Sequence, residues 1–270
     1  MIELAKLMGK TEKPKRTIVF IAFSGEEAGL VGSRNYVKNY IEFPADKVIA
    51  NLNLDTVGRL FGKKLLVLNG SSAKEWKFIF MGTDYVTGIP TSMVQQQLDA
   101  SDQVAFIEAG VPAVQLFSGP EEDYHKPTDT FDKIDGDGMV KVAAVTKEVI
   151  QYLAEREEPL AFTGETGGEK SQADKKDKTQ KKERRVSTGT MPDFEFTGEG
   201  VKIGAVIPDS PAEKSGLLKG DVIVKFDDKP VKNLKDYSNL LKKHQPGDVV
   251  TIEYVRDGEH KTVKLTLAER

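Results

Sequence analysis

Residues 163–184 read TGETGGEKSQADKKDKTQKKER, with no large apolar side chain anywhere in the stretch. A segment with nothing to bury cannot offset the entropy of ordering its own backbone, so it cannot belong to a packed core. The chain is therefore expected to fold as two blocks, residues 1–162 and 184–270, joined by a flexible charged linker at 163–183. The first block is large enough for a full core; the second is small but adequate.

Charge sharpens this division. Residues 170–185 hold eight Lys/Arg against three acids, whereas the whole chain carries a net charge of −3. The basic run has neither aromatic residues nor apolar periodicity. A folded basic face for nucleic acid carries both, so the run reads as a solvated linker and no nucleic-acid partner is expected. The longest apolar run, Ile18 to Phe23, falls far short of the roughly 20 residues of a membrane-spanning helix. Cysteine is absent, which excludes disulfides, thiolate metal sites and cysteine nucleophiles. The histidines are His125, His244 and His260, too few for a His-rich metal cage. The start, Met1-Ile2-Glu3-Leu4, lacks the basic flank and cleavage site of a signal peptide.

The first block alternates strand and helix signals. Thr17–Phe23 is a continuous apolar run, as in a strand covered on both faces. Glu26–Ile41 has helical spacing through Leu30, Tyr36, Val37 and Tyr40. Lys47–Leu54 and Lys64–Leu68 read as strands and Ala73–Val86 as a helix. Ser101–Ala109 reads as a short helix opened by a serine cap, followed by the strand Ala113–Phe117. Asp137–Arg156 reads as a long helix with Val140, Ala143, Ala144, Lys147 and Ile150 in register. The alternation predicts an α/β sheet with helices on both faces. Residues 2–8 have helical spacing and stop at Gly9, but no capping residue precedes them. The chain is thus expected to begin partway into a domain.

The second block has shorter elements. Val201–Ile207 and Val222–Phe226 read as strands. Ser210-Pro211-Ala212-Glu213 opens a short helix, and Leu234–His244 carries Leu234, Tyr237, Leu240 and Leu241 on one face. Asp248–Arg256 and His260–Leu267 form a hairpin across Asp257-Gly258. Short strands with two helices predict a small β-barrel or sandwich.

Chemistry-bearing residues gather at strand ends of the first block. Ser24-Gly25-Glu26-Glu27 directly follows the apolar strand, where open α/β sheets bind ligands. Ser24 and Glu27 also have capping-box spacing, so a structural reading stands beside the functional one. Asp55 follows the strand ending at Leu54; it reads equally as an Asx turn. Asp123-Tyr124-His125 lies in the loop after Phe117, and His125 is the one histidine of this block. Carboxylates and an imidazole delivered to one sheet edge suit zinc ligation.

FSGEEAGLVGS (23–33), NLDTVG (53–58), SDQVAFIEAGVPAV (101–114) and YHKPTDT (124–130) together resemble the co-catalytic di-zinc aminopeptidases of clan MH. The resemblance covers the whole first block. It implies an open mixed sheet covered by helices and two zinc ions per site. It further implies Glu26 as general base, Glu27 and His125 as ligands of one zinc, Asp55 as ligand of the other, and Tyr124 as the phenol that stabilises the oxyanion. A metal-activated water, a carboxylate proton carrier and a phenol donor form a coherent set for peptide hydrolysis. The family also uses an upstream His-x-Asp and a later bridging Asp. Before Glu26 this sequence has no His or Asp, its acids there being Glu3 and Glu12. The full ligand set is therefore not expected within the chain. Gln103 stands where the family commonly has His, which bears on substrate-side contacts.

GVKIGAVIPDSPAEKSGLLKGDVIVKFDDKPV (200–231), with the helix at 234–244, resembles a PDZ domain of the bacterial, permuted type. The resemblance covers residues 184–270 and implies a small mainly-β domain. It implies that Thr188, Gly189 and Thr190 form a carboxylate-binding loop. Val201 and Ile203 of one strand, with Leu234 and Tyr237 of the helix, would line a groove for a peptide C-terminus. The expected function is a zinc-dependent aminopeptidase acting on peptides, with an extracytoplasmic location. The alternatives are a non-catalytic PDZ-bearing peptide-binding protein and a glutaminyl cyclase-like activity.

Overall fold

A computed structural model describes residues 1–10, 13–40, 42–96, 98, 101–164 and 184–269. From residue 165 onward, the linker expected at 163–183 lies outside the described residues. The chain divides into two compact units, Met1–Asp177 and Lys178–Arg270.

The first unit contains α1 (Ile2–Met8), α2 (Val31–Asn39), β1 (Asn51–Leu54), β2 (Leu65–Leu68), α3 (Trp76–Thr87), β3 (Thr91–Met93), α4 (Gln103–Glu108), β4 (Ala113–Phe117) and α5 (Gly136–Glu155). The sheet runs β1-β4-β2-β3. β4 pairs in parallel with β1 and antiparallel with β2, and β2 pairs in parallel with β3. The result is the expected mixed sheet. Its centre is buried on both faces: every residue of β2 is buried, and so are Ala113 to Leu116 of β4. Trp76, Ile79 and Phe80 of α3 and Val142, Val145 and Val149 of α5 cover one face. Phe106 and Ile107 of α4, joined by Phe23, Tyr36 and Val37, form a second cluster around Ala113 and Val111.

Three expectations change. Thr17–Phe23 is not a strand: its residues alternate between exposed and half-buried, and it enters no ladder among the described residues. A strand needs a hydrogen-bonded neighbour, and here a cavity of about 1470 Å³ borders both this segment and β1. The helix expected from Glu26 starts at Val31, because Leu30 sits at φ 61 and breaks the helical path. Within α5 the buried stripe is Val142, Val145, Val149 and Leu153, whereas Val140 is exposed. Both stripes have helical spacing; packing against Trp76 and Phe80 selects the second.

Asp135 caps α5, accepting from Gly138 N at 2.8 Å, and also accepts from Phe61 N at 2.6 Å. These two backbone donors hold the Asp135 carboxyl below its ordinary pKa, the Gly138 bond contributing most.

The second unit contains β5 (Val186–Ser187), β6 (Thr190–Pro192), β7 (Val201–Val206), α6 (Pro211–Lys214), β8 (Val222–Phe226), β9 (Lys229–Pro230), α7 (Leu234–Leu241), β10 (Val249–Arg256), β11 (Glu259–Thr266) and β12 (Ala268–Glu269). The main sheet runs β11-β10-β8-β7-β6, and the expected hairpin joins β10 to β11. Its own core includes Ile203, Ile223, Phe226, Leu241 and Ile252, all essentially sealed from solvent. Ser210 caps α6 and Asn233 caps α7, each accepting a backbone N–H. Asp221, almost fully buried, is paired with Arg256 through two bonds of 2.7 Å, a bidentate match that offsets the carboxylate's burial.

Candidate functional site

Glu26, Glu27, Asp55, Tyr124 and His125 all line the cavity beside β1. Three connections deliver them. The turn after Phe23 carries Glu26 and Glu27, the end of β1 carries Asp55, and the loop after β4 carries Tyr124 and His125. The Ser24–Glu27 capping box does not form, since α2 begins further on. Instead the turn folds back on the helix start, with Gly32 N donating to Ser24 O at 2.9 Å. A Cβ on Gly32 would sit 2.4 Å from that same oxygen, so only glycine permits this approach.

Part of the backbone strain of the first unit lies in and next to these segments. Leu30, Thr56, Ser101 and His125 adopt φ of 61, 52, 67 and 58°. Such conformations are costly for residues with a Cβ, most of all β-branched Thr56, and they concentrate where surrounding structure fixes a functional geometry.

Glu26 is the most perturbed carboxyl of the cavity. Burial, reinforced by the nearby charges of Glu27, Asp55 and Asp102, raises its pKa to about 7, against a backbone hydrogen bond from Ser101. Burial likewise raises Asp102, against a hydrogen bond with Ser33. Glu27 Oε1 lies 2.8 Å from His125 Nε2. The Tyr124 and His125 rings stack at 3.8 Å between centroids. Asp55 Oδ1 accepts from Thr56 Oγ1 at 3.2 Å.

Several contributors were not singled out from the sequence. Arg59 is only 9% exposed; it donates to Asp123 at 2.8 Å and also pairs with Asp129. Lys133 reaches Asp123 as well, at 2.8 Å. These bonds, Lys133 first, hold the Asp123 carboxyl far below its usual range. Asp123 immediately precedes Tyr124 and His125, so Arg59 anchors the loop that carries both. A basic residue directly following Gly58 in an otherwise apolar stretch was the available signal.

Gln103 does not face the cavity. It is fully buried, accepting from Asn53 Nδ2 at 2.9 Å and donating to Asn69 at 3.1 Å and Gln115 at 3.2 Å. It is a strut beneath β1 and β4. Ser101 does not cap α4 either; its Oγ accepts from Asn53 at 2.8 Å.

The donor set falls short of a zinc site. A catalytic zinc takes about three protein ligands. Glu27 and His125 stand together, but among the described residues no group of three His, Cys, Asp or Glu side chains could hold a metal ion. The residues described here do not by themselves fit the ion.

In the second unit, Thr188 Oγ1 lies 2.8 Å from Tyr237 Oη and 2.9 Å from Thr190 Oγ1, joining the loop at 188–190 to α7. Leu234 packs at the edge of the core. Val201 and Ile203 are buried, and β7 is flanked by β6 and β8. A strand with neighbours on both sides cannot accept a third, so the groove wall expected on β7 is corrected to the free edge of β6.

The profile of peptidase family M28 matches residues 1–150, and that of the PDZ domain matches residues 174–267. Aminopeptidase YwaD of Bacillus subtilis is 31% identical over 170 residues, covering 59% of this chain and 37% of the relative. A probable periplasmic serine endoprotease, DegP-like, of Ectopseudomonas mendocina is 37% identical over 68 residues, 25% of this chain and 14% of the relative. Among solved structures, BSAP, a zinc aminopeptidase from Bacillus subtilis, superposes with a TM-score of 0.52 at 26% identity, over 58% of this chain and 40% of that one. The chain spans less than half the length of each of these relatives. The profile match over the first unit, with its mixed sheet and strand-end carboxylates, makes the chain a member of peptidase family M28, followed by a PDZ domain.

Proposed function

We propose that the protein is an aminopeptidase, an exopeptidase that hydrolyses the N-terminal residue from peptides, with Glu26 as its proton carrier. The observation that carries this reading is the half-buried Glu26, its pKa raised to about 7, in a cavity shared with Asp55 and the Glu27–His125 pair. A carboxyl group with that affinity for protons can accept one from an attacking water and return it to the leaving amine near neutral pH. Tyr124, held by its stack on His125, is suited to donate its phenolic hydrogen to the oxyanion that develops on the scissile carbonyl. Glu27, His125 and Asp55 are the metal-ligand candidates. Because they do not complete a site, zinc in this protein requires donors beyond the residues described here.

The PDZ domain is proposed to hold a peptide C-terminus between the edge of β6 and α7, with Thr188, Gly189 and Thr190 at the carboxylate end. The domain limits proposed are 1–162 and 184–270. An extracytoplasmic location is supported by the periplasmic relative of the PDZ domain. No helix among the described residues is long and apolar enough to cross a membrane.

A non-catalytic peptide-binding protein is the second reading, favoured by the incomplete metal-ligand set. Hydrolysis of aminoacyl anilides by the native protein separates the two. The aminopeptidase reading expects release of the anilide that a chelator abolishes and zinc restores. Absence of release under both conditions supports the binding protein.

A further inference from the structure

We infer that Pro192 sets how much of a peptide the PDZ groove can read, confining strand addition to the terminal residue. The inference rests on the proposed capture of a peptide C-terminus by this groove. β6 is the last strand of its sheet, and its outer edge has no partner among the described residues. Register and hydrogen bonds fix which groups that edge offers. Thr190 stands opposite Val206, and Ile207 N donates to Gly189 O at 2.8 Å. Thr190 therefore belongs to a non-hydrogen-bonded pair with β7, and its own N–H and C=O turn outward. Asp193 N donates inward to Lys202 O at 2.8 Å. Backbone direction alternates along a strand, so residue 192 is the next to face outward, and it is proline.

An incoming antiparallel strand exchanges two hydrogen bonds with each outward residue. At Thr190 both are available: the N–H for one carboxylate oxygen, the C=O for the terminal residue's N–H. Two residues further into the peptide the strand meets Pro192. Its carbonyl can accept, but it has no N–H to donate, and its ring occupies that space. At the same point the pairing with β7 shifts register, with Gly204 of β7 as the extra residue. Gly189 holds the loop before this edge at φ 79; its N–H donates to Ser187 Oγ at 3.0 Å, and a Cβ there would meet the Ser210 side chain at 2.1 Å. The carboxylate end is thus tightly built, whereas the strand-addition site stops after a single full pairing.

The test uses the full chain and an array of immobilised hexapeptides with free C termini, randomised at every position. The strongest sequence is then made as fluorescein-labelled peptides for anisotropy: the hexapeptide, its C-terminal dipeptide, the C-terminally amidated hexapeptide, and an alkene isostere lacking the carbonyl of the third residue from the end. A backbone hydrogen bond of about 1 kcal/mol corresponds to about fivefold in affinity. The wild-type chain is expected to bind hexapeptide and isostere equally. Pro192→Ala is expected to bind the hexapeptide about fivefold more tightly, with no gain for the isostere or the dipeptide. Pro192→Ser repeats the test should the alanine variant not fold. A fivefold loss for the isostere on the wild-type chain, or no gain by either variant, overturns the role of Pro192. If no free-carboxylate peptide binds, or amidation leaves affinity unchanged, C-terminus capture itself is wrong and the inference falls with it.

Discussion

Arg59 shows how a single buried side chain reaches the candidate site without lying among its proposed reacting groups. Its guanidinium fork joins the connection after β1 to Asp123 and Asp129, on either side of Tyr124 and His125. Removing Arg59 leaves Asp123 with Lys133 and takes this ion pair from Asp129. Arg59→Met is therefore expected to lower the urea unfolding midpoint of the first unit. An unchanged midpoint would show that Lys133 alone holds Asp123. At this scale the sequence was informative where a motif places a residue at a strand end. Glu26, Glu27, Asp55, Tyr124 and His125 all border one cavity, although the segment before Glu26 is not a strand. Arg59, Asp102 and the bonding of Gln103 to Asn53 and Gln115 did not stand out, because the partners are distant in sequence and only packing unites them.

Helices and strands were legible to different degrees, for physical reasons. The PDZ hairpin and the capped helices carry local signals in Asp257-Gly258, Ser210 and Asn233. Thr17–Phe23 has the composition of a strand, but pairing is a property of neighbours and not of the segment. In α5 two apolar stripes shared the same spacing. Val149→Ala is accordingly expected to cost about 2 kcal/mol, and Val140→Ala on the exposed stripe within about 0.5 kcal/mol of nothing, in thermal unfolding. Equal effects would contradict the packing of α5 on α3. The loop and cap carboxylates Asp123, Asp132 and Asp135 all lie below their ordinary pKa. Their stabilising contribution is therefore complete above the unfolded value of about 4 and is lost as pH falls through the lower native values. Urea midpoints of the first unit should decline from about pH 4 downward, and Asp135→Ala should lower the midpoint at neutral pH and flatten that decline. A midpoint independent of acid would refute these assignments.

On the scale of the whole molecule, two units each enclose a separate core, and a different kind of peptide chemistry is proposed for each. The family assignment rests on the first unit, and the inference about Pro192 rests on the edge of β6 in the second. The central claim is that Glu26 moves the proton during hydrolysis of an N-terminal peptide bond. Steady-state kinetics of the native protein and its Glu26→Gln variant on an aminoacyl anilide test this most directly. The account predicts a fall in kcat of about a thousandfold with KM nearly unchanged, since glutamine keeps the shape and loses the proton transfer. A Glu26→Gln variant that retains kcat within about threefold would contradict it, because removing a general base costs at least about a hundredfold.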